Sequence, residues 1–321
     1  MLRIHFTGAD LARTRLASAP DPLWELSLSI HVLRSRRLDI TLGDWRRTVG
    51  DRLVMGGPVR ADVDLLLELN PPIGYFPDFL TPAEGRTGFS AGVDAVLRTP
   101  QRVVRRDLDL LARHARPSPS ATDLVRAGGM GGLRRSLVRY REVALDPIWP
   151  RVRTAVESDL VQRRRLLAHE GVDGLLSGLS AGARWTGEAI EIESYQGDRE
   201  LHLNGRGLTL IPAFFKTPGR PITLVDEDLP PVLVYPIDRT ADELSRPKAL
   251  SELIGRTRAA VLEAIVHGST TGEVAKKLGV SPASASQHLT VLRDSGLVMS
   301  VREGNRVRHL PTVLGRSLLA A

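Results

Sequence analysis

The apolar positions of the 321-residue chain follow three successive rhythms. Up to about Ser177 the spacing is helical. In DPLWELSLSIHVLRSRR, Leu23, Leu26, Ile30 and Leu33 recur at three- and four-residue intervals, and VVRRDLDLLARHAR and RVRTAVESDLVQRRRLLAHEG repeat the pattern. NPPIGYFPDFLTPAEG and RPSPS break it and read as loops. From about Gly178 to Asp238 the period shortens. AIEIES alternates, and LHL, LTLIP, ITLVD and PVLVYPI are short apolar runs between Gly, Asn, Asp and Pro, as strands joined by turns would be. After Arg246-Pro247 the helical rhythm returns, with Leu250, Leu253, Ile254, Val261, Leu262 and Ile265 on one side of ALSELIGRTRAAVLEAIVHG.

These rhythms predict an α+β protein. A mainly helical N-terminal region covers 1–177. A small, mostly antiparallel sheet over 178–240 packs on it. A C-terminal domain covers 248–321. Local signals delimit the elements of that last domain closely. Gly255 kinks or divides its first helix. Thr270 and Glu273 have the spacing of a capping box at the start of TTGEVAKKLG. Gly279 ends that helix in a left-handed conformation. Ser281 caps the next helix and Pro282 takes its first position, where a missing N–H does no harm. This helix runs to about Ser295 and Gly296 closes it. LVMSVREGNRVRHLP then forms a hairpin around Gly304-Asn305.

The helix starting at Ser281 has an unusual surface. Ala285, Leu289 and Leu292 share a face that should pack on Val274, Leu278 and the preceding helix. Ala283, Ser286, Gln287 and Thr290 point the other way, with Ser284 on a flank. Small polar groups suit a helix that must enter a DNA major groove about 12 Å wide. Gln287 can pair bidentately with adenine. Ser284, Ser286 and Thr290 can reach base edges or phosphates, and the amides of the first turn can hold a phosphate. Arg302, Arg306 and Arg308 on the hairpin can follow the backbone or reach the minor groove.

Charge points the same way. The net charge is +7. From Lys248 onward ten basic residues face five acidic ones, so +5 of the excess lies in the last quarter and +2 in the rest, as expected where a polyanion is met. Composition narrows the remaining classes. The chain is 42% hydrophobic, which is ordinary for a globular protein, and no stretch approaches the ~18 apolar residues of a membrane span. MLRIHFTGADLARTR has no apolar signal core, so a cytoplasmic protein is expected. With no cysteine, disulfides, thiolate metal sites and cysteine nucleophiles are all ruled out.

Helix, tight turn, helix and hairpin follow in the order of a winged helix-turn-helix. EVAKKLGVSPASASQHL, the LRDSGLV exit into the hairpin and the closing TVLGRSLL resemble the corresponding segments of ArsR-type bacterial transcriptional regulators. The likeness covers about Ala249 to the C-terminus, less than a quarter of the chain. It implies a recognition helix over Ser281–Arg293 with Ser284, Ser286, Gln287 and His288 at the DNA, and a wing over Val301–His309. His288 lies between the packed side and the DNA side, so packing is an equal alternative for it. The resemblance further implies a homodimer on an inverted-repeat operator, usually repressing, that joins through the first helix around Leu253–Ile265 and the last around Leu314–Leu319. Members that sense metals use Cys near the helix pair, or carboxylate and His ligands on a long final helix. Here there is no Cys and the last helix is short, so no metal or other cofactor is expected. The long N-terminal part resembles an uncharacterised extension of some large regulators.

Two readings of that extension stand side by side. It senses a small-molecule effector, with Trp24, Trp45, Trp149, Trp185, Tyr75, Phe76 and Phe79 available to line an apolar pocket; or it is a protein-interaction or oligomerisation body with no effector. An enzyme has little support. GLSAG matches a nucleophile elbow at Ser180, but the order of strand and helix around it is reversed. GGMGG at Gly128–Gly132 lacks the Lys and Ser/Thr of a phosphate loop and reads as a joint between helices. Arg runs on the N-terminal helices alternate with acids such as Asp107 and Asp109 and read as solvated faces. His309 reads as structural or close to a phosphate rather than as a metal ligand.

Overall fold

The structure is a computed structural model. It describes the chain apart from residues 36–38, 55–56, 72–74, 114–117, 125–129, 180–181, 194, 196, 218, 225, 227, 240–252, 267, 304–305 and 321. The described chain divides into two compact units, Met1–Asp238 and Arg239–Ala321.

The first unit opens with β1 (Leu2–His5), α1 (Gly8–Arg13) and β2 (Arg15–Leu16), followed by α2 (Pro22–Arg34). Asp21 starts α2 by accepting from the amides of Leu23 (3.0 Å) and Trp24 (3.2 Å), with Pro22 in the first turn. The apolar stripe read from the sequence understates this helix, because Leu23 through Ile30 are all buried. Its one buried acid is satisfied by backbone: Glu25 accepts from the amides of Phe214 (2.7 Å) and Phe215 (3.0 Å). Around α2 lie α3 (Gly43–Arg52), α4 (Pro58–Leu69), α5 (Phe89–Leu97), α6 (Gln101–Ala112), α7 (Pro119–Asp123), α8 (Met130–Tyr140) and α9 (Trp149–Ser177), the last interrupted at Gly171. Of the GGMGG segment, Met130, Gly131 and Gly132 begin α8, and Gly128 and Gly129 lie outside the described residues. Ser180 of GLSAG also lies outside them.

Five strands follow, β3 (Arg184–Trp185), β4 (Ala189–Ile192), β5 (Arg199–His202), β6 (Thr209–Ala213) and β7 (Val232–Pro236). The expected small antiparallel sheet is corrected here. There are two sheets, and the start of the chain supplies a strand to each. In the order β3-β4-β1-β5, β1 pairs antiparallel with β4 (Leu2 opposite Ile192) and parallel with β5 (Leu2 opposite Arg199). In the order β2-β6-β7 both pairings are parallel, Arg15 opposite Thr209 and Thr209 opposite Val232. Parallel neighbours need long crossovers, and the helices between β2 and β6 serve as one. One apolar cluster runs from Leu2 through the helices to Ile237. Trp24, Trp45, Phe76 and Phe79 are buried in it, and Trp45 Nε1 donates to the Ala144 carbonyl (2.7 Å). Tyr75, Trp149 and Trp185 pack against its edge.

The second unit contains α10 (Arg256–Ala264), β8 (Ser269–Thr270), α11 (Thr271–Leu278), α12 (Pro282–Asp294), β9 (Val298–Glu303), β10 (Arg306–Pro311) and α13 (Val313–Ala320). Gly255, at φ 87°, marks the start of α10. Val261, Leu262, Ile265, Val274, Ala285, Leu289, Leu292 and Leu297 form the core of the unit, with Leu278 and Leu318 against it. The strands lie in the order β8-β10-β9 and are antiparallel throughout.

Candidate nucleic-acid interface

The helix pair α11–α12 is fixed by its ends. Thr270 Oγ1 accepts from Glu273 N (3.3 Å) and Glu273 Oε2 accepts from Thr270 N (2.8 Å), so two unpaired amides at the start of α11 are satisfied reciprocally. Gly279 ends α11 at φ 65°, ψ 29°, a left-handed conformation that a side chain would oppose. The chain can therefore turn within Gly279–Ser281 and start α12. There Ser281 Oγ accepts from Ser284 N (3.1 Å) and the Ser281 carbonyl accepts from Ala285 N (3.0 Å). Since Pro282 has no N–H, Ala283 keeps the one uncommitted amide of that first turn among the described residues. Anion binding by several first-turn amides is narrowed to one.

The faces of α12 are sharply divided. Ala285, Leu289 and Leu292 are buried. Ala283, Ser286 and Gln287 are exposed on the opposite side, Thr290 is half-buried on that stripe, and Ser284 and His288 are half-buried on the flank. The structure thus brings Ser286, Gln287 and Thr290 to one stripe and sets Ser284 and His288 beside it.

The hairpin strands β9 and β10 pair from Arg306 opposite Glu303 to Pro311 opposite Val298; residues 304 and 305 between them lie outside the described residues. Arg302 is exposed on β9. Arg308 is half-buried, and its guanidinium donates to the Gly268 carbonyl (3.3 Å), which ties β10 to the entry of β8. His309 is buried and spans the unit: Nε2 meets Thr271 Oγ1 (3.1 Å) and Nδ1 meets Ser300 Oγ (2.9 Å). Burial, with the nearby Arg293 charge, holds its pKa below that of free imidazole. In the sequence Lys276 and Lys277 counted only as charge. Both are exposed in the last turn of α11, where they also complement the helix dipole. The signal available was their place two and three residues before the turn glycine. Among the described residues no three His, Asp or Glu side chains converge as metal ligands would, and no helix is long and apolar enough to cross a membrane.

Two segments match models of known families. Residues 253–301, which hold α10, α11, α12 and the start of β9, match a helix-turn-helix domain. Residues 124–241, from the end of α7 through β7, match a family of unknown function (DUF5937). No curated protein and no solved structure matches the chain. The C-terminal unit is a DNA-binding helix-turn-helix of the kind found in transcription regulators.

Proposed function

We propose that the protein is a sequence-specific transcriptional repressor of the ArsR type, acting as a homodimer on an inverted-repeat operator. One observation carries this reading: the second helix of a helix-turn-helix presents a capped face of Ala283, Ser286, Gln287 and Thr290, small enough to enter a major groove. In this reading α12 is the recognition helix and Gln287 its base-reading residue. Ser284, Ser286, His288 and Thr290 support it at base edges or phosphates. The β9–β10 hairpin is the wing, with Arg302, Arg306 and Arg308 along the backbone, and Lys276 and Lys277 add phosphate contacts.

Exposed apolar side chains support dimerisation. Leu253 is 70% exposed, Val313 76% and Leu314 56%, at the entry and exit helices of the unit. A two-fold dimer sets its recognition helices one DNA turn apart, about 34 Å, and an effector would act by changing that spacing. The Met1–Asp238 unit is then the effector-sensing module. A second reading, in which this unit is an interaction or oligomerisation body, draws support from Trp24, Trp45, Phe76 and Phe79, which fill the core.

The test is fluorescence anisotropy of the full-length protein with duplex DNA from upstream of its own gene and with a scrambled duplex, across a salt series. The expected result is selective binding to the upstream duplex with a steep salt slope. Equal binding to both, unchanged by Gln287→Ala, would remove the sequence-reading role.

A further inference from the structure

Helix α6 carries a second basic surface, in the unit that lacks the helix-turn-helix. Its buried side is Val104, Asp107, Leu108 and Leu111. At 100° per residue, Arg102, Arg106, Asp109 and Arg113 fall on one outward stripe with Arg105 at its edge, and all five are exposed. They line a surface groove of about 380 Å³ together with Leu110. In the sequence Asp107 and Asp109 offset two of these four arginines. The fold removes one of these acids from the surface. Asp107 is fully buried, where it accepts from Phe79 N (3.1 Å) and from Arg106 (2.9 Å). Arg106 also reaches Asp226 (2.7 Å), so it is neutralised and pins the helix to the Asp226 loop, as Asp107 pins it to Phe79. Arg102, Arg105 and Arg113 form no ion pair among the described residues, and Asp109 is the one acid left on the face.

We propose that this face of α6 is a second contact surface for the DNA phosphate backbone, taking phosphodiesters outside the site read by the helix-turn-helix. The inference rests on the DNA-binding reading above. Arg102 and Arg113 are eleven residues apart, so the stripe is about 16 Å long, enough to meet several phosphates. Guanidinium forks suit phosphate oxygens bidentately. The face carries no Ser, Thr, Asn or Gln with which to read bases, so its contribution is independent of sequence. Its one apolar residue, Leu110, is half-buried, which leaves no wedge for a lipid surface. The ties from Asp107 and Asp226 hold the helix with these arginines outward before DNA arrives.

The experiment compares three full-length proteins on a 40-base-pair duplex of random sequence over a salt series: the wild type, the triple variant Arg102→Gln/Arg105→Gln/Arg113→Gln, and a charge-matched control, Arg15→Gln/Arg135→Gln/Arg165→Gln. The control arginines are exposed elsewhere on the same unit. Circular dichroism confirms that each protein is folded. The expected result is a log–log salt slope lower by about two to three units in the α6 variant, at about 0.9 unit for each phosphate no longer neutralised, with the control unchanged. An α6 variant with the wild-type slope, or a control that falls equally, overturns the proposal. So does a variant that keeps its DNA slope and instead loses binding to phosphatidylserine vesicles, which would make the face a membrane contact. A wild type that binds no duplex at all removes the DNA-binding reading itself, a distinct outcome from loss of the α6 effect alone.

Discussion

Gln287 and His31 show how differently single residues enter this molecule. Gln287 is exposed on α12 and its proposed role rests on its chemistry, an amide able to donate and accept at one adenine edge. Gln287→Ala should weaken binding to the cognate duplex by about 1–3 kcal/mol and relax preference at one base pair, read by anisotropy against single-base operator variants. His31 is defined instead by its surroundings. It sits edge-on to Phe76, and its Nε2 is buried with no hydrogen-bond partner among the described residues. Burial, helped by the charges of Lys216 and Arg34, pushes its pKa down to about 3. Since the folded pKa lies below the unfolded value of 6.5, the unfolded chain takes up a proton that the folded unit refuses, and stability falls as pH drops below 6.5. Between pH 6.5 and 5 the wild type should lose about 2 kcal/mol more than His31→Phe, measured by denaturant unfolding of the first unit. Asp21 opposes this. Burial pushes its carboxyl up to about 6, so its contribution grows as pH falls through 6 towards 4 and is lost as pH rises again. Asp21→Asn should therefore steepen the acid loss in the same assay.

Elements depend on partners that neighbouring sequence does not reveal. α13 docks because Gly315 lets its backbone approach β9 closely: a Cβ at Gly315 would lie 2.0 Å from the Leu297 carbonyl oxygen. Gly315→Ala should destabilise the C-terminal unit by about 1–3 kcal/mol, seen as a lower thermal midpoint, while a Gly272→Ala control, where a Cβ meets nothing within 4 Å, stays near wild type. β1 lies between β4 and β5, and β2 borders β6. Removing residues 1–16 should leave β5 with no partner and strip one neighbour each from β4 and β6, and so abolish the cooperative melt of the first unit, with dye binding to exposed apolar surface as the check. The 124–241 family segment begins after both N-terminal strands, so its sheets are completed from outside it.

For the whole molecule, the proposed function rests on association and on charge. If the exposed Val313 and Leu314 form a dimer contact, Val313→Glu/Leu314→Glu should give a monomer by analytical ultracentrifugation and lose operator affinity while keeping a folded spectrum. Charge counted along the chain put the excess in the last quarter. The fold adds to that account by burying Asp107 and exposing Arg102, Arg105 and Arg113 together, so a segment of the N-terminal unit also presents a basic face.

The C-terminal unit was legible because its determinants are local. The capping box at Thr270 and Glu273, the left-handed Gly279, the Ser281 cap with Pro282, and the division of α12 into packed and polar faces each depend on residues within a turn or two. Helical periodicity likewise located most of the first unit. The parallel pairing of β2 with β6 and β7, the placing of β1 between β4 and β5, and the burial of Glu25 and Asp107 against distant backbone amides were decided by the tertiary structure alone. A four-residue strand such as Leu2–His5 carries too little pattern to name its partners, which lie nearly two hundred residues away. Periodicity records which way a side chain faces, and only the assembled fold decides what it faces.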